Sequence, residues 1–217
     1  MLDYAAARLN MVESQLRTNK VSNQALLAAF EAVPREHFVP EPLRGIAYVD
    51  EDMQIGAGRF LMEPMVLGRL LQEARPGPDD IALDIGCGTG YATAILARLA
   101  ATVVALEDDA ALAARANETL TGMDIDNTVV VEGPLSDGYP RQAPYNVILV
   151  NGAVAEIPAA ISAQLAEGGR LVTVVQDSAG VGRATLMQRS GGVSSRVLFD
   201  AAVPVLPGFE RAPGFVF

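Results

Sequence analysis

The stretch Ile81-Ala82-Leu83-Asp84-Ile85-Gly86-Cys87-Gly88-Thr89-Gly90-Tyr91 constrains this chain more than any other. A short apolar run stops at an acid, three glycines follow on alternate positions, and Ala92 to Leu99 then has the spacing of an amphipathic helix. The order strand, glycine turn, helix is that of a β–α unit. Glycines in the turn allow positive φ and let a ligand approach main-chain atoms, while the helix behind them presents free N–H groups. Such a loop is built to hold a small molecule closely.

The spacing narrows the choice of molecule. A dinucleotide loop has G-x-G-x-x-G, with a pyrophosphate at the helix N-terminus. Here the pattern is G-x-G-x-G, and Asp84 precedes its first glycine by two residues. A carboxylate at that point opposes a polyphosphate and favours a cation, and S-adenosylmethionine carries an ammonium and a sulfonium without phosphate. The next predicted strand, Thr102 to Leu106, ends at Glu107, which lies 21 residues past Gly86. An acid at about that distance accepts both hydroxyls of an adenosine ribose. The competing reading is an ordinary glycine turn with a solvated acid at the end of the following strand.

The remainder of the chain supplies a frame for this unit. Met1 to Thr18 has apolar residues at helical spacing, and a second helix over Gln24 to Val33 is capped by Ser22 or Asn23 and stopped by Pro34. Arg35 to Asp50 holds too many breakers for one long element, and His37 within it is read as a packing residue. Gly56-Ala57-Gly58 precedes a helix over Met65 to Glu73 and again invites a ligand. Beyond Glu107 come a helix over Ala110 to Leu120, strands over Thr128 to Glu132 and Tyr145 to Val150, a helix over Ile157 to Leu165, and a strand over Arg170 to Val175. Alternation of this kind builds a parallel sheet covered by helices on both faces. Ala184 to Arg189 and Val193 to Phe199, joined through Ser190-Gly191-Gly192, form a hairpin that closes the sheet with an antiparallel strand. The tail with Pro204, Pro207 and Pro213 is expected to be extended.

Charge and composition exclude some partners. With 16 Lys and Arg against 26 Asp and Glu, the formal charge of −10 argues against nucleic acid and anionic membrane, which need clustered basic residues. One cysteine, Cys87, forms no internal disulfide, and one Cys with one His offers little to a metal. There is no charged leader followed by an apolar block, and no apolar run approaches the roughly 20 residues of a membrane span. The expectation is a soluble cytoplasmic protein.

Several segments together resemble the protein-L-isoaspartate O-methyltransferases. Met11-Val12-Glu13-Ser14-Gln15-Leu16 is similar to the family's opening helix, and Val33-Pro34-Arg35-Glu36-His37-Phe38-Val39-Pro40 to its Val-Pro-Arg-Glu-x-Phe-Val-Pro signature. Ala47-Tyr48, Gly56-x-Gly58, the glycine loop with Tyr91, Glu107, and Gln164-Leu165 before Gly168-Gly169-Arg170-Leu171 follow in order. The resemblance implies a Rossmann-like, doubly wound α/β fold with a mostly parallel seven-stranded sheet. It implies one methyltransferase domain over residues 1–217, divided into an N-terminal helical extension (1–54) and the core (55–217). The cofactor would be S-adenosylmethionine, released as S-adenosylhomocysteine. Asp84, Gly86, Cys87, Gly88, Gly90 and Tyr91 would hold its methionine end and Glu107 its ribose, with Asp108 also in the cofactor site. The acceptor would be a carboxylate of an isoaspartyl residue in a damaged protein or peptide, a protein-repair reaction.

The chain also departs from the family. Where the family reads Gln-Thr-Ile-Ser before x-Pro, this chain reads Arg59-Phe60-Leu61-Met62 before Glu63-Pro64, so Met62 stands in place of the active-site serine. Gly133-Pro134-Leu135 replaces Gly-Asp-Gly, and Asn146 an aspartate. A carboxylate acceptor is already ionised and needs no general base, so positioning dominates the chemistry. Arg59 could clamp an acidic acceptor through its guanidinium, or be an exposed loop arginine. Phe60, Leu61 and Met62 suit either a changed acceptor, such as a small molecule, or core beneath the loop. A third possibility is a catalytically silent module that keeps the cofactor or only the fold.

Overall fold

The computed structural model describes residues 3–56 and 58–211. The chain opens with α1 (Tyr4–Met11), whose first turn is capped by Asp3 accepting from the Ala6 N–H at 3.0 Å. The predicted helix does not continue as an α-helix to Thr18: a π turn over Val12–Leu16 and a 3₁₀ turn over Arg17–Asn19 replace its second half. Met11, Val12 and Leu16 are thereby all buried. The next helix, α2 (Gln24–Ala32), is capped by the Asn23 side chain on the Leu26 N–H and stops before Pro34. Two 3₁₀ turns, Arg35–His37 and Glu41–Ile46, fill the breaker-rich segment.

A small antiparallel hairpin, β1 (Met53–Gly56) with β2 (Arg59–Leu61), stands apart from the main sheet. The sequence reading placed no strands here, because three- and four-residue strands around a glycine turn leave little periodicity to see. The proposed division at residue 54 falls inside β1. After α3 (Pro64–Ala74) the core alternates as expected: β3 (Ile81–Ile85), α4 (Tyr91–Ala97), β4 (Thr102–Glu107), α5 (Ala110–Gly122) and β5 (Thr128–Glu132). Then follow β6 (Tyr145–Val154), a four-residue α6 (Ala159–Ser162), β7 (Leu165–Gln176), β8 (Gly182–Arg189) and β9 (Val193–Asp200). The helix expected to run to Leu165 is cut short because β7 already begins there.

The seven strands lie in the order β5-β4-β3-β6-β7-β8-β9. Pairs from β5 through β7 are parallel, and β8 is antiparallel to both its neighbours. Strands β3, β4 and β6 are buried along nearly their whole length, as parallel strands covered on both faces must be. The chain runs outward from β3 to β4 and β5, then returns to β6 on the other side of β3. This reversal opens a crevice at the carboxyl ends of β3, β4 and β6, where ligands of such sheets bind. Most N-terminal apolar residues, with α3 and α4, pack in one cluster on one face, and α6 with Leu206 and Phe209 belongs to a second.

Candidate active site at the carboxyl edge of the sheet

The glycine loop folds as its sequence requires. Gly86 and Gly88 have φ of +76° and +57°, values that strain any residue with a Cβ. The Gly86 and Cys87 N–H groups both donate to the Leu106 carbonyl, which fixes the loop to β4. The family-like segment after Pro34 supports it from below. Thr89 Oγ1 donates to the Phe38 carbonyl at 2.6 Å, and Phe38 and Phe30 pack edge-on against Tyr91. Arg35, fully buried, donates to the carbonyls of Ala47 and Met62 and lies 4.8 Å from the Tyr91 ring centroid. Its burial lowers its pKa. The signature segment is thus a buttress for the loop and for residues 59–62. His37 is exposed rather than a packing residue, because the 3₁₀ turn directs Arg35, Glu36 and Phe38 inward and leaves it outside.

Two acids frame the loop, and both are inaccessible to solvent. Asp84, on β3, accepts from Thr93 Oγ1 at 2.7 Å and from Asn151 Nδ2 at 3.3 Å. Burial outweighs these two donors and pushes its carboxyl up to about 7. Neither Thr93 nor Asn151 was selected from the sequence, although Thr93 follows Gly90 by one helical turn and could have been suspected.

Glu107 is surrounded more densely. Its Oε1 accepts from Arg59 Nη1 at 2.5 Å, from the Asp108 N–H at 3.1 Å and from the Asp109 N–H at 3.2 Å. Its Oε2 accepts from Arg59 Nη2 at 2.8 Å and from the Gly88 N–H at 2.7 Å. Arg59 Nη1 reaches Asp108 Oδ1 as well, at 2.9 Å. Burial raises the Glu107 pKa, and the guanidinium and amides pull against that rise. The sequence reading had Arg59 on a loop, clamping an acceptor or exposed to solvent. It is instead 4 % exposed on β2 with both terminal nitrogens committed to β4, because an inward-facing strand position buries the guanidinium, which must then find a carboxylate. Met62 is 2 % exposed and packs in the core with Leu61, so it offers no group to an acceptor. Leu61 and Met62 thus follow the reading of core beneath the loop, while Phe60 is half-buried and outside that cluster.

Side chains also cover the loop itself. A Cβ built on Gly86 would meet Arg59 Nη2 at 3.1 Å and the Leu206 methyls at 3.1 and 3.2 Å, and one on Gly88 would meet Ile55 Cδ1 at 2.5 Å. Leu206 belongs to the tail, which does not run free: Leu206 N–H donates to the Ala153 carbonyl, and Ala153 N–H to the Pro204 carbonyl. The part of the tail containing Pro213 lies outside the described residues. Residue types suited to S-adenosylmethionine are therefore in place, and Arg59 holds the carboxylate that its ribose would use. Five donors saturate Glu107, which has about four lone-pair sites, and none is left for a ribose.

The family model described as Protein-L-isoaspartate(D-aspartate) O-methyltransferase (PCMT) matches residues 7–203. A protein-L-isoaspartate O-methyltransferase of Methanoregula boonei is 41% identical over 168 residues, covering 77% of each chain. One of Rhodospirillum rubrum is 37% identical over 206 residues, covering 92% of this chain and 94% of the relative. Among solved structures, a putative protein-L-isoaspartate O-methyltransferase from Plasmodium falciparum, in complex with S-adenosyl-L-homocysteine, superposes with a TM-score of 0.80 at 18% identity, over 95% of this chain and 99% of that one. At that identity the structural match speaks for the fold, the Rossmann-like sheet with its N-terminal helices. The sequence matches go further, and by them the chain belongs to the protein-L-isoaspartate O-methyltransferase family.

Proposed function

We propose that this chain is an S-adenosylmethionine-dependent methyltransferase that esterifies a carboxylate of an isoaspartyl residue in a protein or peptide. The observation that carries the reading is the family match over residues 7–203, which spans both the buttress of residues 33–40 and the glycine loop with its two acids. Asp84, Gly86, Cys87, Gly88, Gly90 and Tyr91 are assigned to the methionine end of the cofactor, and Glu107 and Asp108 to its ribose. The assignment of Glu107 requires Arg59 to leave it.

Bound, the cofactor supplies an activated methyl group. The chain's part is to orient the acceptor and exclude water, and orientation alone is worth about 7–11 kcal/mol in favourable cases. An ionised acceptor has no proton to lose, and the buried side chain of Met62 supplies no base. We take the 217 residues as one functional domain acting in the cytoplasm without nucleic acid. The charge of −10 supports this, and no helix of the described residues is long and apolar enough to cross a membrane. Incubation with radiolabelled S-adenosylmethionine and an isoaspartyl peptide should give a base-labile methyl ester. Failure on every such peptide, with label appearing on a small-molecule carboxylate instead, would replace the acceptor while keeping the chemistry.

A further inference from the structure

We propose that Arg59 is a built-in competitor for the cofactor's ribose, carried on the β1–β2 hairpin, and that the cofactor cleft of this chain opens only when Arg59 leaves Glu107. The inference rests on the reading of Glu107 as the ribose acid. It goes beyond that reading because it makes cofactor binding conditional on a residue that is not part of the cofactor site.

Three observations support it. Arg59 presents both Nη atoms to both oxygens of Glu107, the two-point geometry that a ribose diol would need from the same carboxylate. The two cannot share it, since the Gly88, Asp108 and Asp109 amides occupy the remaining acceptor directions. The guanidinium also lies against Gly86, and Ile55, from the other strand of the same hairpin, lies against Gly88. The side chains that close the site from this side thus ride on one small element.

That element is suited to move. Among the described residues β1 and β2 pair only with each other, over four and three residues, and a two-stranded hairpin has little stability of its own. The pairing is further interrupted by a register shift between Gln54 and Gly56. Charge supplies the counterweight: Arg59 neutralises Glu107, so its departure uncovers a carboxylate that a ligand's hydroxyls must satisfy in turn. Apparent affinity is then reduced by the fraction of molecules in which the guanidinium is elsewhere.

The test is a calorimetric titration of S-adenosylhomocysteine into the full chain and into Arg59→Gln and Arg59→Lys, with circular dichroism melts establishing that each is folded. Gln leaves a neutral side chain, and Lys keeps the charge but loses the fork that grips both oxygens. Arg59→Gln should bind at least tenfold more tightly than the unaltered chain, with Arg59→Lys between them. Equal affinities for all three overturn the proposal, as does a folded Arg59→Gln that binds no better. If Arg59→Gln does not fold, Arg59→Lys decides, and it must still bind more tightly than the unaltered chain. Methyl-ester formation on an isoaspartyl peptide is read separately. Tighter binding without ester sinks the functional reading and leaves the competitor standing, while ester formation with no gain in binding does the reverse.

Discussion

Asp84, next to last on β3, and Glu107, last on β4, border the same glycine loop and are equally hidden from solvent, yet the protein satisfies them in opposite ways. Asp84 has two neutral donors, a hydroxyl and an amide, and its carboxyl is pushed up to about 7. Glu107 has a guanidinium and three main-chain N–H groups. Removing a charge from water costs several kcal/mol, and neutral donors return only part of it. A carboxyl held by neutral donors therefore gains or loses a proton near neutrality, while one held by a buried cation is locked to that cation. The β3 end of the crevice is thus poised by protonation and the β4 end by an ion pair.

The largest effect expected from this contrast comes from breaking the pair. Glu107→Ala leaves Arg59 buried beside the half-exposed Asp108 alone, and removing one partner of a buried ion pair typically costs about 3–5 kcal/mol. Urea unfolding would measure it. A loss below about 1 kcal/mol would mean that the guanidinium swings out to water at little cost, and the locked end of the comparison would be lost.

The next effect belongs to Asp84 and depends on pH. Its folded pKa of about 7 lies above the 3.8 of an aspartate in the unfolded chain, so between those limits the native state binds the extra proton. Stability contributed by this group is present below about pH 4 and lost as pH rises through 7. Asp84→Asn does not titrate and can keep both contacts if the Asn151 amide turns over. The stability difference between variant and parent should therefore shift in the variant's favour by about 2–4 kcal/mol from pH 4 to pH 8. Parallel pH profiles for the two proteins would show that Asp84 is ionised throughout and that the two acids are alike after all.

The legibility of these features in the sequence follows the same division. The strand carrying Asp84, its glycine turn and the strand ending at Glu107 were readable because apolar runs, glycine spacing and chain separation are local signals. What covers them was not. Arg59 comes from a hairpin too short to show a period, and Leu206 from a tail whose prolines suggested only extension, although it is held to β6 through Ala153. Both contacts join positions distant in the chain: Arg59 and Glu107 are 48 residues apart. A pattern of residue types indicates that an arginine is available, but not which carboxylate will claim it. Burial supplied the missing rule, since an inward-facing strand position forces the guanidinium to find a counter-ion within reach.

A smaller change sharpens the contrast from the loop side. Gly88→Ala places a Cβ at φ +57°, in conflict with Ile55 Cδ1, and disturbs the one loop amide that donates to Glu107. A side chain in the left-handed region costs about 1–2 kcal/mol, and Ile55, the end of a flexible side chain, can turn aside. A loss of that size in thermal or urea unfolding is expected at pH 5. The Gly88 N–H is among the groups that pull the Glu107 pKa down, so the loss should be larger at pH 8. A loss independent of pH would show that this amide contributes nothing to holding Glu107 in its charged form.

The smallest effect concerns the third acid. Asp108 Oδ1 accepts from Arg59 Nη1 at 2.9 Å, but its side chain is 40% exposed, where Glu107 is fully buried. Solvent screening limits such a contact to about 0–1 kcal/mol. Asp108→Asn keeps an acceptor for the guanidinium and removes one negative charge, so unfolding should shift by well under 1 kcal/mol, and mainly at low salt. Binding of S-adenosylhomocysteine should not tighten, since Arg59 remains on Glu107 through both oxygens, and the loss of an acid assigned to the ribose can only weaken it. A gain in affinity as large as that from Arg59→Gln would mean that the guanidinium is held in place by Asp108. The lock on the β4 end would then lie at the surface of the crevice, where salt reaches it, instead of within it.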